Sequence, residues 1–112
     1  MKKHLIIGNP ISHSLSPKIH NYWFKENNIN GNYTKSEPKE NEIEEILKKI
    51  KSKELFGMNV TIPFKQIVIK FLETTSELAN KTNSVNTIYN HEGKIHGDNT
   101  DVYGFKKSIV NN

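Results

Sequence analysis

Lys65 and Asp101 are the residues of this 112-residue chain whose types best suit proton transfer. Each closes an apolar run that turns polar: Met58-Asn59-Val60-Thr61-Ile62-Pro63-Phe64-Lys65 in one case, and Ser84-Val85-Asn86-Thr87 followed by Gly97-Asp98-Asn99-Thr100-Asp101 in the other. A lysine whose ammonium is oriented by a carboxylate can give and take a proton at a reacting oxygen. Each residue alone has a plainer reading, because a lysine at a helix start is ordinarily solvated and an aspartate there is a natural N-cap. A third run, Leu5 to Gly8, leads into Asn9-Pro10-Ile11-Ser12-His13-Ser14-Leu15-Ser16-Pro17. If the three runs are neighbouring strands of one sheet, their polar ends meet in a single crevice, which is where open α/β sheets bind ligands.

Hydroxyls, amides, one ammonium and one carboxylate would then share that crevice, an inventory suited to a small polyhydroxylated carboxylic acid. All basic residues are lysine, so no guanidinium fork can grip a carboxylate substrate. Ser14 and Ser16 become the candidates for that task, although a serine before proline also caps helices. Asn59 and Thr61 alternate along their run and so share one face, opposite Val60 and Ile62. Polar groups on a buried strand need partners, since an unpaired one costs about 1–3 kcal/mol, and a hydroxylated ligand or loop backbone could supply them. His13 fits neither a metal spacing nor a serine–histidine–acid order and reads as a surface group.

Positioning these residues takes a short alternating series of strands and helices. His4 to Gly8 reads as a buried strand, and Ser16-Pro17 as the start of a helix through Ile19, Tyr22, Trp23 and Phe24. Asn32 to Glu37 is a second strand, and Asn41 to Lys51 an amphipathic helix with Ile43, Ile46, Leu47 and Ile50 on one face. Leu55 to Thr61 is a third strand that Pro63 stops. Phe64 to Leu72 then starts a helix with Ile67, Val68, Phe71 and Leu72 inward, so Lys65 projects from a strand-to-helix junction. Ser76 to Asn80 is a short helix or turn. Val85 to Tyr89 and Lys94 to His96 pair around Asn90-His91-Glu92-Gly93, and a final helix follows from Thr100-Asp101. The expected architecture is one domain over residues 1–112, a three-layer α/β/α unit with a mostly parallel sheet.

Composition excludes several classes of function. There is no cysteine, which removes disulfides and thiolate chemistry and suits a cytoplasmic protein. No apolar stretch approaches the ~20 residues that cross a bilayer, and the run after Lys2-Lys3 breaks too early for a signal segment. The net charge is +4, but Lys48, Lys49, Lys51 and Lys53 lie beside the acidic Glu40 to Glu45 stretch. They read as a solvated helix with mixed charge rather than the unopposed basic stripe that nucleic acid requires. The expected partner is therefore a small molecule, with no nucleic acid and no membrane.

Taken in order, Gly8 to Pro17 with His20-Asn21, Asn59 to Lys65, Val85-Asn86-Thr87 and Gly97 to Asp101 with Gly104 resemble the substrate-binding domain of shikimate dehydrogenase over nearly the whole chain. That resemblance implies reduction of 3-dehydroshikimate to shikimate with NADPH, a step of aromatic amino-acid biosynthesis. It implies that Ser14 and Ser16 take the substrate carboxylate, that Asn59, Thr61, Asn86 and Asp101 take ring hydroxyls, and that Lys65 and Asp101 are the catalytic pair. In that scheme Lys65 stabilises the developing alkoxide and supplies its proton.

Two departures from the family pattern stand out. Asn83 and Ser84 replace a glycine and a small residue ahead of Val-Asn-Thr, and Phe64 replaces a common histidine. Asparagine tolerates a left-handed backbone, so the turn should survive. No glycine-rich dinucleotide fingerprint occurs in the chain, so NADP is expected on a C-terminal Rossmann domain absent from it. The expectation is a substrate half-site, inactive as a dehydrogenase alone and prone to self-association through the face that domain would cover. The alternative is a free-standing shikimate- or quinate-binding module without redox activity.

Overall fold

A computed structural model describes residues 2–9, 21–22, 25–26 and 31–100. Six strands make one sheet: β1 (Lys2–Ile7), β2 (Gly31–Ser36), β3 (Gly57–Val60), β4 (Thr74–Thr75), β5 (Thr87–His91) and β6 (Lys94–Asp98). Their spatial order is β2-β1-β3-β5-β6-β4. β1 runs parallel to β2 and β3, and β4 parallel to β6, whereas β5 is antiparallel to both its neighbours. Five strands thus point one way and β5 alone is reversed, so the sheet is mixed but mostly parallel.

The helices are α1 (Ile43–Lys51), entered through a 3-10 turn at Glu40–Glu42, α2 (Phe64–Ile67), continued as a 3-10 turn over Val68–Phe71, and α3 (Glu77–Thr82). α1 buries Ile43, Leu47 and Ile50, spaced four and three apart. Glu44 and Glu45 in its first turn and Lys48, Lys49 and Lys51 in its last complement the helix dipole. α3 starts at Ser76, whose Oγ accepts the Ala79 N–H at 3.1 Å, and ends at Asn83, which is left-handed at φ 52° and ψ 40°. The asparagine standing where the family favours glycine does adopt the conformation that glycine would.

Register divides the sheet into two faces. Leu5, Met58 and Ile88 lie opposite one another across β1, β3 and β5, while His4, Gly57 and Tyr89 mark the other face. On the first face Ile7, Met58, Val60 and Ile88 pack with Ile43, Leu47, Ile50, Phe64 and Val68 into one core. Each fully buried aliphatic side chain there contributes about 1.5–3 kcal/mol. The second face carries His4, Tyr33, Asn59 and Thr87. The helix expected from Ser16-Pro17 through Phe24 and the one expected after Thr100 fall mostly outside the described residues; Asn21, Tyr22, Lys25 and Glu26 are helical.

Several boundaries differ from expectation. β1 begins at Lys2 because the two lysines pair with Gly31 and Asn32. β3 ends at Val60, so Ile62 is not a core residue opposite Asn59 but is 71% exposed. The two-residue β4 carries no apolar signature, and its Thr74 and Thr75 pair with His96 and Gly97.

Candidate functional site

The carboxyl ends of β1, β3 and β6 and the amino end of β5 lie at the same end of the sheet. Ile7 is opposite Val60, Asn59 opposite Thr87, and Thr87 opposite Asp98. The reversal of β5 explains why its polar residue, Asn86, precedes the strand whereas those of β3 follow or end it. The polar residues at these ends of β3, β5 and β6 therefore meet, as neighbouring strands require, while the cluster that follows β1 lies outside the described residues beyond Asn9.

Asn86, only 9% exposed, is the centre of that end. Its carbonyl accepts the Val60 N–H at 2.8 Å and the Asn59 Nδ2 at 3.4 Å, and its own N–H reaches the Asp98 carbonyl at 3.0 Å. Its Oδ1 accepts from the Thr87 hydroxyl at 3.0 Å and the Thr100 N–H at 3.0 Å, and its Nδ2 donates to Thr100 Oγ1 at 3.0 Å. One buried asparagine, through its backbone carbonyl and its carboxamide, therefore ties β3, β5 and the segment after β6 together. Burying it is tolerable because its polar atoms are paired.

Lys65 is half-buried in the first turn of α2, where Pro63 and the end of β3 place it. Its carbonyl accepts the Val85 N–H at 2.8 Å, which fixes the lysine backbone beside the residue preceding Asn86. Thr61, also half-buried, donates its N–H to the Ile7 carbonyl at 2.9 Å and accepts the Phe64 N–H at 3.0 Å. It thereby bridges the end of β1 to the start of α2. The structure thus brings together Asn59, Thr61, Lys65 and Asn86. Ser14, Ser16 and Asp101 lie outside the described residues; Thr100, immediately before Asp101, is bonded to Asn86.

Sequence reasoning missed three contributors. Tyr33, 4% exposed on β2, donates its hydroxyl to Asn59 Oδ1 at 2.6 Å, and burial pushes its phenol pKa up to about 12. A buried tyrosine generally needs a partner, but without the strand register the partner could not be named. Asn99, 4% exposed, donates to Thr82 Oγ1 at 3.0 Å and the Ser84 carbonyl at 3.1 Å. Asp98 Oδ1 accepts from Ser76 Oγ at 2.6 Å and the Asn99 N–H at 2.7 Å. These bonds fix Asp98 and Asn99 against the two ends of α3.

An open α/β sheet whose strand ends gather a lysine, carboxamides and hydroxyls has the crevice at which sheets of this class take ligands. The chain belongs to the shikimate dehydrogenase substrate binding domain family, whose model matches residues 6–88. It is 51% identical over 108 residues to shikimate dehydrogenase (NADP(+)) of Pelagibacter ubique, covering 96% of this chain and 41% of that protein. Shikimate dehydrogenase 1 of Peptoclostridium difficile superposes with a TM-score of 0.86 at 34% identity, covering 99% of this chain and 43% of that one. The shikimate 5-dehydrogenase of Listeria monocytogenes, solved in complex with shikimate and NAD, gives 0.90 at 30% identity over 99% of this chain and 38% of that one. The chain therefore spans about two fifths of the length of these relatives.

Proposed function

We propose that this chain is the substrate half of an NADP-dependent shikimate dehydrogenase, reducing 3-dehydroshikimate to shikimate in aromatic amino-acid biosynthesis. The observation that carries this reading is the network around the buried Asn86, which joins Asn59, the backbone of Lys65's neighbour Val85 and the residue before Asp101 in one hydrogen-bonded cluster. Ser14 and Ser16 take the substrate carboxylate, and Asn59, Thr61, Asn86 and Asp101 take ring hydroxyls. Lys65 holds a proton at Nζ for the oxygen of the reduced carbonyl, with Asp101 orienting it. NADPH, bound by a second domain, would supply the hydride and leave as NADP+.

Ile62, 71% exposed directly after Thr61, supports a contact surface beside the crevice, which that second domain covers. Without it, self-association of the chain through this face is expected, and sedimentation at rising concentration measures it. The partner is a small molecule in the cytoplasm, not nucleic acid or membrane. Among the described residues, Lys48, Lys51 and Lys70 pair with Glu45, Glu73 and Glu40, which is a poor phosphate-binding stripe.

The test joins this chain to a cofactor domain of the same family and follows NADPH oxidation with 3-dehydroshikimate. Activity should appear, and Lys65→Ala should lower kcat by about 10²–10⁴. A folded but inactive fusion, or a Lys65→Ala fusion of undiminished rate, contradicts the reading.

A further inference from the structure

We infer that Tyr33 is a positioning residue for the substrate, acting through the carboxamide of Asn59. The inference rests on the reading that Asn59 binds a substrate oxygen. Tyr33 stands on β2 and Asn59 on β3, with β1 between them. The register places both on the face opposite the core: Tyr33 is level with His4 and Gly57, and Asn59 with Ile6, one side-chain step further toward the crevice. The phenol therefore crosses β1, its ring centroid 6.3 Å from that of His4, to reach Asn59 Oδ1 at 2.6 Å.

That bond fixes which end of the carboxamide is which. Asn59 also meets the Asn86 carbonyl, which can only accept, so the group facing it is Nδ2 and the group facing Tyr33 is Oδ1. The phenol is then the donor, and burial, which disfavours its phenolate, keeps the proton on it. With one lone pair of Oδ1 taken by the phenol and one N–H by the Asn86 carbonyl, the second N–H is the donor Asn59 can offer a ligand. An N–H donates to a hydroxyl or a keto oxygen alike, so the same contact serves an oxygen in either oxidation state.

Tyr33 is itself held in place at the free edge of the sheet. Its N–H donates to Asn21 Oδ1 and its carbonyl accepts from Asn21 Nδ2, both at 2.8 Å. This two-point clamp occupies backbone groups that an edge strand otherwise leaves open. It also connects Asn21, five residues after Ser16, to Asn59 through a single tyrosine.

The experiment titrates the chain with shikimate by NMR, comparing Tyr33→Phe, Asn59→Ala and the double variant. Tyr33→Phe keeps the ring and removes the bond, so it should weaken binding by about five-fold, one neutral hydrogen bond's worth. Asn59→Ala should weaken it at least as much, and the double variant should match Asn59→Ala alone, because Tyr33 has nothing left to act on. A merely structural tyrosine would give additive losses. Unchanged binding by Tyr33→Phe, or additivity, overturns the inference and leaves the proposed function standing; no shikimate binding by the unsubstituted chain removes that function and the inference with it. Independently of folding in the variants, the Asn59 carboxamide protons of the unsubstituted chain should exchange more slowly than those of exposed Asn41. Equal rates also overturn it.

Discussion

Gly97→Ala is the substitution whose cost the structure fixes most directly. Gly97 lies in β6 on the core face, opposite Ile88 and Thr75, and its carbonyl accepts the Ser76 N–H at 2.9 Å. A Cβ there would run into Leu72 Cδ1 and would stand 3.0 and 3.1 Å from Val85 Cγ1 and Cγ2. Val85 is fully buried and β-branched, so it has no second rotamer to retreat to. Leu72 is only partly buried against the core, so its end can shift, and the contacts with Val85 carry most of the cost.

Overpacking of this kind costs about 1–3 kcal/mol, and the reduced freedom of the unfolded chain returns about 0.4–1 kcal/mol. The net loss is about 1–2 kcal/mol, which for a domain of this size lowers Tm by roughly 5–15 °C. Urea unfolding checks it, with the midpoint falling and the slope unchanged. Two other glycines calibrate the result. At Gly57 the nearest atoms to an added Cβ are 3.6–4.0 Å away, an ordinary contact, so Gly57→Ala should be neutral or slightly stabilising. Gly93 has open space but a φ of 82°, so its alanine pays only the left-handed backbone cost, about 1 kcal/mol. Trimming the obstruction should also help: Gly97→Ala should cost less in a Leu72→Ala background than alone. A Gly97→Ala chain as stable as Gly57→Ala would refute the steric reasoning.

Three further substitutions have expected outcomes. Asn83→Ala should destabilise by about 1 kcal/mol and Asn83→Gly should not, because residue 83 is left-handed at the end of α3; thermal unfolding of the pair reads the difference. Ser76→Ala removes both the α3 cap to Ala79 and the 2.6 Å bond to Asp98, and should cost about 1–2 kcal/mol in chemical denaturation. Glu73 is held below the ordinary carboxylate range by the hydrogen bond from Lys51 at 2.6 Å, helped by the Ile95 N–H. Its folded value being depressed, the stability it adds is present above the unfolded carboxylate's pKa and is lost as pH falls through the folded one. Glu73→Gln should therefore lower stability at neutral pH and converge with the unsubstituted chain in acid, and added salt should shrink the gap.

What the sequence made legible followed from local patterns. The run Leu5-Ile6-Ile7 reads as a strand because it is short, branched and continuous, and the isoleucines and leucine of residues 43–50 read as a helix face because their spacing is helical. The left-handed turn at Asn83 was readable from the side chain's known tolerance. Pairing was readable only for the hairpin of β5 and β6 around residues 90–93: nothing local says which of the two runs against the other strands, that Thr74-Thr75 joins the far edge, or that Tyr33 is level with Gly57. Those depend on which strands meet, a property of distant residues. The same limit separates the site residues. Asn59, Lys65 and Asn86 announce themselves by type and by their place after apolar runs, whereas Tyr33 and Asn99 look like an ordinary strand aromatic and a turn amide until register gives them partners.

Register also ties the site to the fold's stability. Met58 and Val60 point into the core and Asn59 points away from it, so a one-residue slip of β3 would bury the carboxamide among Ile7, Leu47 and Ile88 while exposing the two apolar side chains. Moving those side chains out of the core would forfeit about 3–6 kcal/mol, before the cost of burying an unpaired amide. The alternation that closes the core is therefore what aims Asn59 away from it. Asn86 obeys the same constraint from the other side, because Val60 N–H and Asn59 Nδ2 converge on its one carbonyl, and that convergence exists in one register only. A substitution that loosens β3 without touching a polar residue, such as Val60→Ala, should thus weaken ligand binding as well as the fold.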